Sequence, residues 1–322
     1  MSTRTIRSVV CFGAHPDDET MLIGGVLAML ATRGIRVHVV SATRGEGGEI
    51  DPASGATRET LAEVREAELR CAARALGAAS VDVLGYVDPL IGEDEALYPF
   101  EADFDALTKQ IADLCRRYEA DVALSHGADG EYGHPAHQLM HQAVQRAVRA
   151  LPGRTLFYTF AAAVPGIEDH IWNANEPAHL ALDVRPWLDI KERAALCHRT
   201  QHALFKRRRN LKTVREALRT VESVRRHWPP LAEGEPPDDA FAAVLRAVGA
   251  WEPAQARRPR TNWPPAANAI WRSPTRSCPP PGSSATATST PGSSDSTCWA
   301  RSSPTRSRGR RDRRHLGRAW SH

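Results

Sequence analysis

The sequence predicts an α/β fold, a Rossmann-like and mostly parallel sheet with helices on both faces. Three observations carry that reading. Short apolar runs rich in β-branched residues, beginning with Ser8-Val9-Val10-Cys11-Phe12-Gly13, alternate with longer stretches of helical periodicity. The strand-like runs recur at residues 35–41, 81–86 and 121–125, each followed by a loop and a helix signal. Finally, the two most polar clusters, residues 14–19 and 126–137, each follow directly on a strand, and in such sheets ligands sit at the carboxyl ends of the strands.

Taken in order, the first run is a buried strand ended by Gly13, and Met21, Leu22, Val26, Leu27, Met29 and Leu30 mark the apolar face of the helix after it. Pro16 suits the first helical position, which puts Asp17, Asp18 and Glu19 in the first turn, where the helix dipole favours negative charge. Residues 35–41 form the second strand. The glycine-rich stretch 43–49 matches neither a dinucleotide fingerprint nor a Walker sequence, and its two acids would repel phosphate, so it is a loop. Residues 58–77 form a helix with Gly77 as its stop, 81–86 the third strand, 104–118 a helix and 121–125 the fourth strand. A helix through Val148, strands at 155–160 and 180–184, and a helix opened by Pro186 follow. Residues 206–228 read as a basic helix with a solvated face, and 239–251 as a short amphipathic helix. The domain expectation is therefore 1–228 as a single catalytic domain, 229–272 as a Pro-rich linker with a short helix, and 273–322 as a disordered Arg/Pro/Ser-rich tail.

Charge separates the tail from the body. From Glu252 onward there are thirteen arginines and no lysine against three acids, a net of +10; the whole chain carries +4, leaving −6 for residues 1–251. An acidic body gives nucleic acid no electrostatic support. No stretch is long and apolar enough to span a membrane, and the N-terminus carries no signal-peptide pattern. Cys11, Cys71, Cys115 and Cys197 are scattered, and read as small core residues in a reducing, cytoplasmic compartment rather than a disulfide frame.

Acidic residues alone could be helix caps, but a histidine followed at once by three acids, His15-Pro16-Asp17-Asp18-Glu19, points to a metal site. His15, Asp18 and one of His134 or His137, which share a face at i and i+3, make a three-ligand set with a position open for water. That is the arrangement of a catalytic zinc, and it leaves Asp17 as general base. His141 lies a turn further on and reads as a surface histidine.

Residues Ala14-His15-Pro16-Asp17-Asp18-Glu19 and Gly133-His134-Pro135-Ala136-His137 together resemble the PIG-L/LmbE family of zinc-dependent de-N-acetylases. Arg65-Glu66-Ala67-Glu68-Leu69-Arg70-Cys71-Ala72-Ala73, Gly85-Tyr86-Val87-Asp88 and His198-Arg199-Thr200-Gln201 extend the resemblance over residues 6–205. The family removes acetyl groups from N-acetylglucosaminyl conjugates and includes mycothiol- and bacillithiol-pathway deacetylases. The resemblance implies zinc, or ferrous iron as the other candidate, on His15, Asp18 and His137. It also implies Asp17 as base and then acid, His134 as a cationic oxyanion stabiliser with Tyr132 as a second donor, and Arg65 and Asp88 at the sugar. Ala136 departs from the pattern, since the family usually has Asp there, and the loss should lower the His134 pKa. The implied partner is a small amino-sugar conjugate, with a homo-oligomer compatible. The rival readings are a family amidase acting on a thiol-sugar conjugate, and a sugar- or nucleotide-binding module with weakened catalysis.

Overall fold

The computed structural model describes residues 5–253 except 154, 168–170, 208–209 and 233. The tail expected from residue 273, and residues 254–272 of the linker before it, lie outside the described residues.

Strand β1 (Ser8–Gly13) is buried along its whole length. Its even and odd side chains face opposite ways, as period 2 requires: Val9 and Cys11 enter one apolar cluster, Val10 and Phe12 the other. The expected helix after it is two helices, α1 (Asp18–Met21) and α2 (Gly24–Thr32), and it starts two residues later than Pro16 suggests. Asp17 is the cap, with a left-handed backbone at φ 114°. Strand β2 (Arg36–Thr43) leads through the glycine-rich loop to α3 (Leu61–Leu76), which Gly77 stops in the left-handed conformation. Then come β3 (Ser80–Tyr86), α4 (Phe104–Arg117), β4 (Val122–Ser125), the short α5 (Gly130–Gly133) and α6 (Pro135–Ala150). The chain continues through β5 (Leu156–Phe160), β6 (Ala162–Ala163), β7 (Asn173–Pro177), β8 (Leu180–Asp183), α7 (Leu188–Cys197), α8 (His202–Arg207) and α9 (Val214–Ala217). It closes with β9 (Val221–Trp228) and α10 (Ala240–Arg246).

The main sheet runs β3-β2-β1-β4-β5-β9-β8, with the first five strands parallel and β9 antiparallel to both its neighbours; β6 and β7 pair separately. Chain order reverses between β1 and β4, and a crevice opens at such a switch point. Both polar clusters leave the sheet there. One face of the sheet is covered by α2, α3 and α7, the other by α4 and α6, whose apolar stripes fill the two clusters.

Three expectations are corrected. Residues 206–228 are not one basic helix: their last third is β9, an inner strand of the sheet. Glu222 is fully buried there, accepting the N–H groups of Gly25 and Val26 at 2.8 and 2.7 Å and Lys191 Nζ at 2.7 Å. Ladder pairing on both edges and a satisfied buried carboxylate outweigh local helix preference. The segment from 229 is more than a linker, because Phe241, Ala242 and Leu245 of α10 are buried in the core and Trp251 bridges to Ala181. The compact body therefore extends past residue 228. Lastly, Cys71 and Cys197 form a disulfide between α3 and α7, while Cys11 and Cys115 are free and buried. The two bonded cysteines are 126 residues apart, and only the packing of those helices brings them together.

Candidate active site

The turn after β1 is built around Asp18. Its Oδ2 accepts the backbone N–H groups of Ala14 and His15 at 2.9 and 2.8 Å and faces His126 Nε2 at 3.2 Å. Oδ1 is left toward His137 Nε2, 3.5 Å away. His15 turns Nε2 to Asp88 Oδ1 at 3.2 Å, so its Nδ1 points inward, 3.3 Å from His137 Nε2 and 3.8 Å from Asp18. His137 gives Nδ1 to Glu131 Oε2 at 2.6 Å. Thus three groups, two from the turn that opens α1 and one from the first turn of α6, each have one polar atom held, and His137 Nε2 stands close to both His15 Nδ1 and Asp18 Oδ1.

That arrangement fits a metal ion. Ligands about 2.0–2.2 Å from a tetrahedral centre lie about 3.3–3.6 Å from one another, which matches His137 Nε2 at 3.3 Å from His15 Nδ1 and 3.5 Å from Asp18 Oδ1. Carboxylates behind both histidines fix ring orientation and tautomer, as is usual for metal-ligating imidazoles. Two sets of donors lie close enough together to share one ion, His15 with His134 and His137, and Asp18 with His126 and His137; His137 belongs to both. Of the two expected histidines, His137 has the held second nitrogen. His134 instead caps α6, its Nδ1 accepting the Ala136 N–H at 3.2 Å.

Asp17 owes its direction to its backbone. A left-handed non-glycine residue costs about 1–3 kcal/mol. The turn is secured by Glu19, whose Oε2 accepts the Asp17 N–H at 3.0 Å and whose Oε1 is held by Thr20 Oγ1 and by His198 Nε2 at 3.0 Å. Burial pushes the Asp17 carboxyl up to about 6, against the pull of the Arg65 guanidinium 3.3 Å away. Such a value suits a group that must exchange a proton near neutrality.

Arg65 is buried and donates to the Pro16 and Gly45 carbonyls at 2.6 and 3.0 Å as well as to Asp17. A Cβ on Gly45 or Gly48 would strike the guanidinium, which explains the glycines of the loop: they admit Arg65, not a phosphate. Arg65 and Asp88 both line the cavity, yet their polar contacts go to Asp17, the loops and His15. Tyr132 sits at the cavity edge with its ring edge-on to His134 and His137.

Two features differ from expectation. His134 is not set up as a cation. Burial, followed by the adjacent rings of His137 and His15, holds its pKa well below the ordinary value, and its Nδ1 acts as an acceptor. The neutral ring then presents Nε2–H. His141 is buried, not a surface residue, with Nδ1 2.9 Å from the His126 carbonyl. The sequence reading missed His126 and Glu131. His126 is fully buried between Asp18 and Glu131, and although burial disfavours its charge, the two carboxylates push its pKa up to about 10. Glu131 accepts from both His126 and His137. Their only signal was position, directly after a strand in a cluster already under suspicion.

The family model described as GlcNAc-PI de-N-acetylase matches residues 10–148, spanning both clusters. A 1D-myo-inositol 2-acetamido-2-deoxy-alpha-D-glucopyranoside deacetylase of Acidothermus cellulolyticus is 31% identical over 237 residues, covering 62% of this chain and 81% of the relative. The chain belongs to the PIG-L family. The enzyme of the same name from Rhodococcus erythropolis is 31% identical over 242 residues, 62% of this chain and 82% of its own. Among solved structures, the 4-carboxy-2-hydroxymuconate hydratase of Pseudomonas putida aligns with TM-score 0.50 and 25% identity over 71% of this chain and 99% of that one. A PIG-L-like sheet thus also carries a hydratase, and the reaction has to be argued from the site.

Proposed function

We propose that this chain removes the N-acetyl group from an N-acetylglucosamine-type sugar in a small glycoconjugate. The observation that carries the reading is that His137 Nε2 lies 3.3 Å from His15 Nδ1 and 3.5 Å from Asp18 Oδ1, beside the raised carboxyl of Asp17. His15, Asp18 and His137 would hold a zinc ion, with ferrous iron as the alternative for the same donors. Bound zinc supplies a water with a pKa near 7 and polarises a carbonyl.

The protein does the rest. Asp17 takes the proton from the attacking water and returns it to the leaving amine, and Arg65 keeps it ionised until then. His134, through Nε2–H, and the Tyr132 hydroxyl donate to the developing oxyanion. A neutral His134 forfeits the charge-assisted part of that bond. His126 and Glu131 hold the outer atoms of Asp18 and His137, Oδ2 and Nδ1, so that the ligands need not reorganise. The described helices include none long and apolar enough to cross a membrane, in keeping with a dissolved conjugate as substrate.

The test is metal analysis joined to an assay of amine release from N-acetylglucosamine conjugates. His15→Ala, Asp18→Ala and His137→Ala should each lose bound metal. Asp17→Asn should retain it and lose about 10²-fold or more in kcat. An Asp17→Asn protein with full activity removes Asp17 from the mechanism. Turnover only of thiol-sugar conjugates carrying a larger acyl group supports the amidase reading instead.

A further inference from the structure

The cavity over the site has a volume of about 340 Å³ and two unlike halves. Its floor is His15, Asp17, Asp18, Arg65, His134 and His137. Its mouth is Pro89, Leu90, Ile91, Leu97 and Tyr98 from the loop after β3, faced by Leu204 of α8. Leu90 is 62% exposed, Tyr98 49% and Ile91 39%, unusual for three large apolar side chains in a row along one opening. The wall is built, not loose. Glu46 Oε2 accepts the Asp88 N–H at 3.1 Å at the root of the loop, Pro89 packs its carbonyl against Gly47, and the Tyr98 ring lies on Gly92. Of the charged groups at this edge, Arg207 and Glu49 are joined to each other by two 2.7 Å contacts, and Glu95 of the same loop stands within electrostatic reach of Arg207.

A polyhydroxylated aglycone laid on Leu90, Ile91, Leu97 and Leu204 would bury hydroxyls without partners there, at a cost for each. We propose that the mouth is a subsite for an apolar aglycone, an alkyl or aryl group on the sugar's glycosidic oxygen. This rests on the deacetylase reading. It makes the preferred substrate differ from the inositol conjugate named for the relatives. The acetyl group is bonded to the reacting carbon and must sit on the polar floor, so the part of the substrate that reaches the mouth is the far, glycosidic end.

The experiment compares kcat/KM for methyl and octyl N-acetylglucosaminides, the inositol conjugate, and a methyl glucosaminide carrying N-octanoyl in place of N-acetyl. Calorimetric titration with octyl glucoside, which has no amide, runs in parallel. The octyl glycoside should exceed the methyl glycoside about tenfold or more, through KM, since each buried methylene is worth about fourfold at most. Leu90→Ser with Ile91→Ser should remove that advantage, weaken octyl glucoside binding and leave the methyl glycoside unchanged. Equal rates, a preference for inositol, or an advantage confined to the N-octanoyl substrate overturns the proposal. So does light scattering that finds a dimer which Leu90→Ser dissociates, because a second copy then covers the mouth. If no sugar is deacetylated, the reaction assigned above fails; octyl glucoside binding that depends on Leu90 would still uphold the apolar subsite.

Discussion

Replacing Arg65 with methionine keeps the stem and removes the guanidinium, and its consequences can be worked from three contacts. The guanidinium sits 3.3 Å from Asp17 Oδ2, with the two side chains 4% and 16% exposed. Charges about 4 Å apart at an effective dielectric near 20 interact by about 4 kcal/mol, an upper bound of about three pH units. Relaxation and water entry would cut this to about one or two. Asp17 must be ionised to accept a proton, so activity falls on the acid side as pH drops through its pKa, about 6 in the intact protein. Without the cation that pKa rises, and the acid limb of kcat/KM should move up toward 7 or 8. At pH 7 the loss is expected to be about two- to tenfold; at pH 9 much of it should be recovered. Two buried carbonyls, of Pro16 and Gly45, also lose their donors. At about 1–3 kcal/mol each, Tm should fall by several degrees. Metal content should not change, because Arg65 touches none of the three proposed ligands. The assay is a pH–rate profile with metal analysis on the same preparations. An unmoved acid limb in a folded, metal-loaded Arg65→Met protein would refute the idea that this guanidinium sets the ionisation of Asp17.

Glu131→Gln should weaken metal affinity about 10- to 100-fold, because it loosens the rings of both His126 and His137; competition with a chelator measures this. Ala136→Asp should raise kcat or extend activity to higher pH by favouring the His134 imidazolium, at some cost in Tm because Ala136 lies in an apolar cluster. An unchanged profile would mean that His134 serves as a neutral donor even beside a carboxylate. Phe241→Ala should lower stability by about 3–5 kcal/mol, and a chain ending at Trp228 should lose more, whereas one ending at Pro253 should keep the Tm of the full chain; thermal melts separate the three.

What the sequence determined by itself was whatever is local. Strands β1 to β4, helices α3, α4 and α6, and the stop at Gly77 follow from period and punctuation over a dozen residues. The pairing of His15 and Asp18 with His137 was open until the strand order was known, although adjacency to strand ends pointed that way. Tertiary structure alone decided the rest, because the deciding energies come from distant residues. A basic stretch becomes β9 because β5 and β8 offer two ladders and Lys191 neutralises Glu222. Cys71 meets Cys197 because α3 packs on α7. Asp17 takes a left-handed backbone because Glu19 and His198 hold it there, a strain no local preference would choose. His134 is neutral because burial beside two other imidazoles disfavours its charge, a property of the assembled pocket rather than of the residues next to it in the chain.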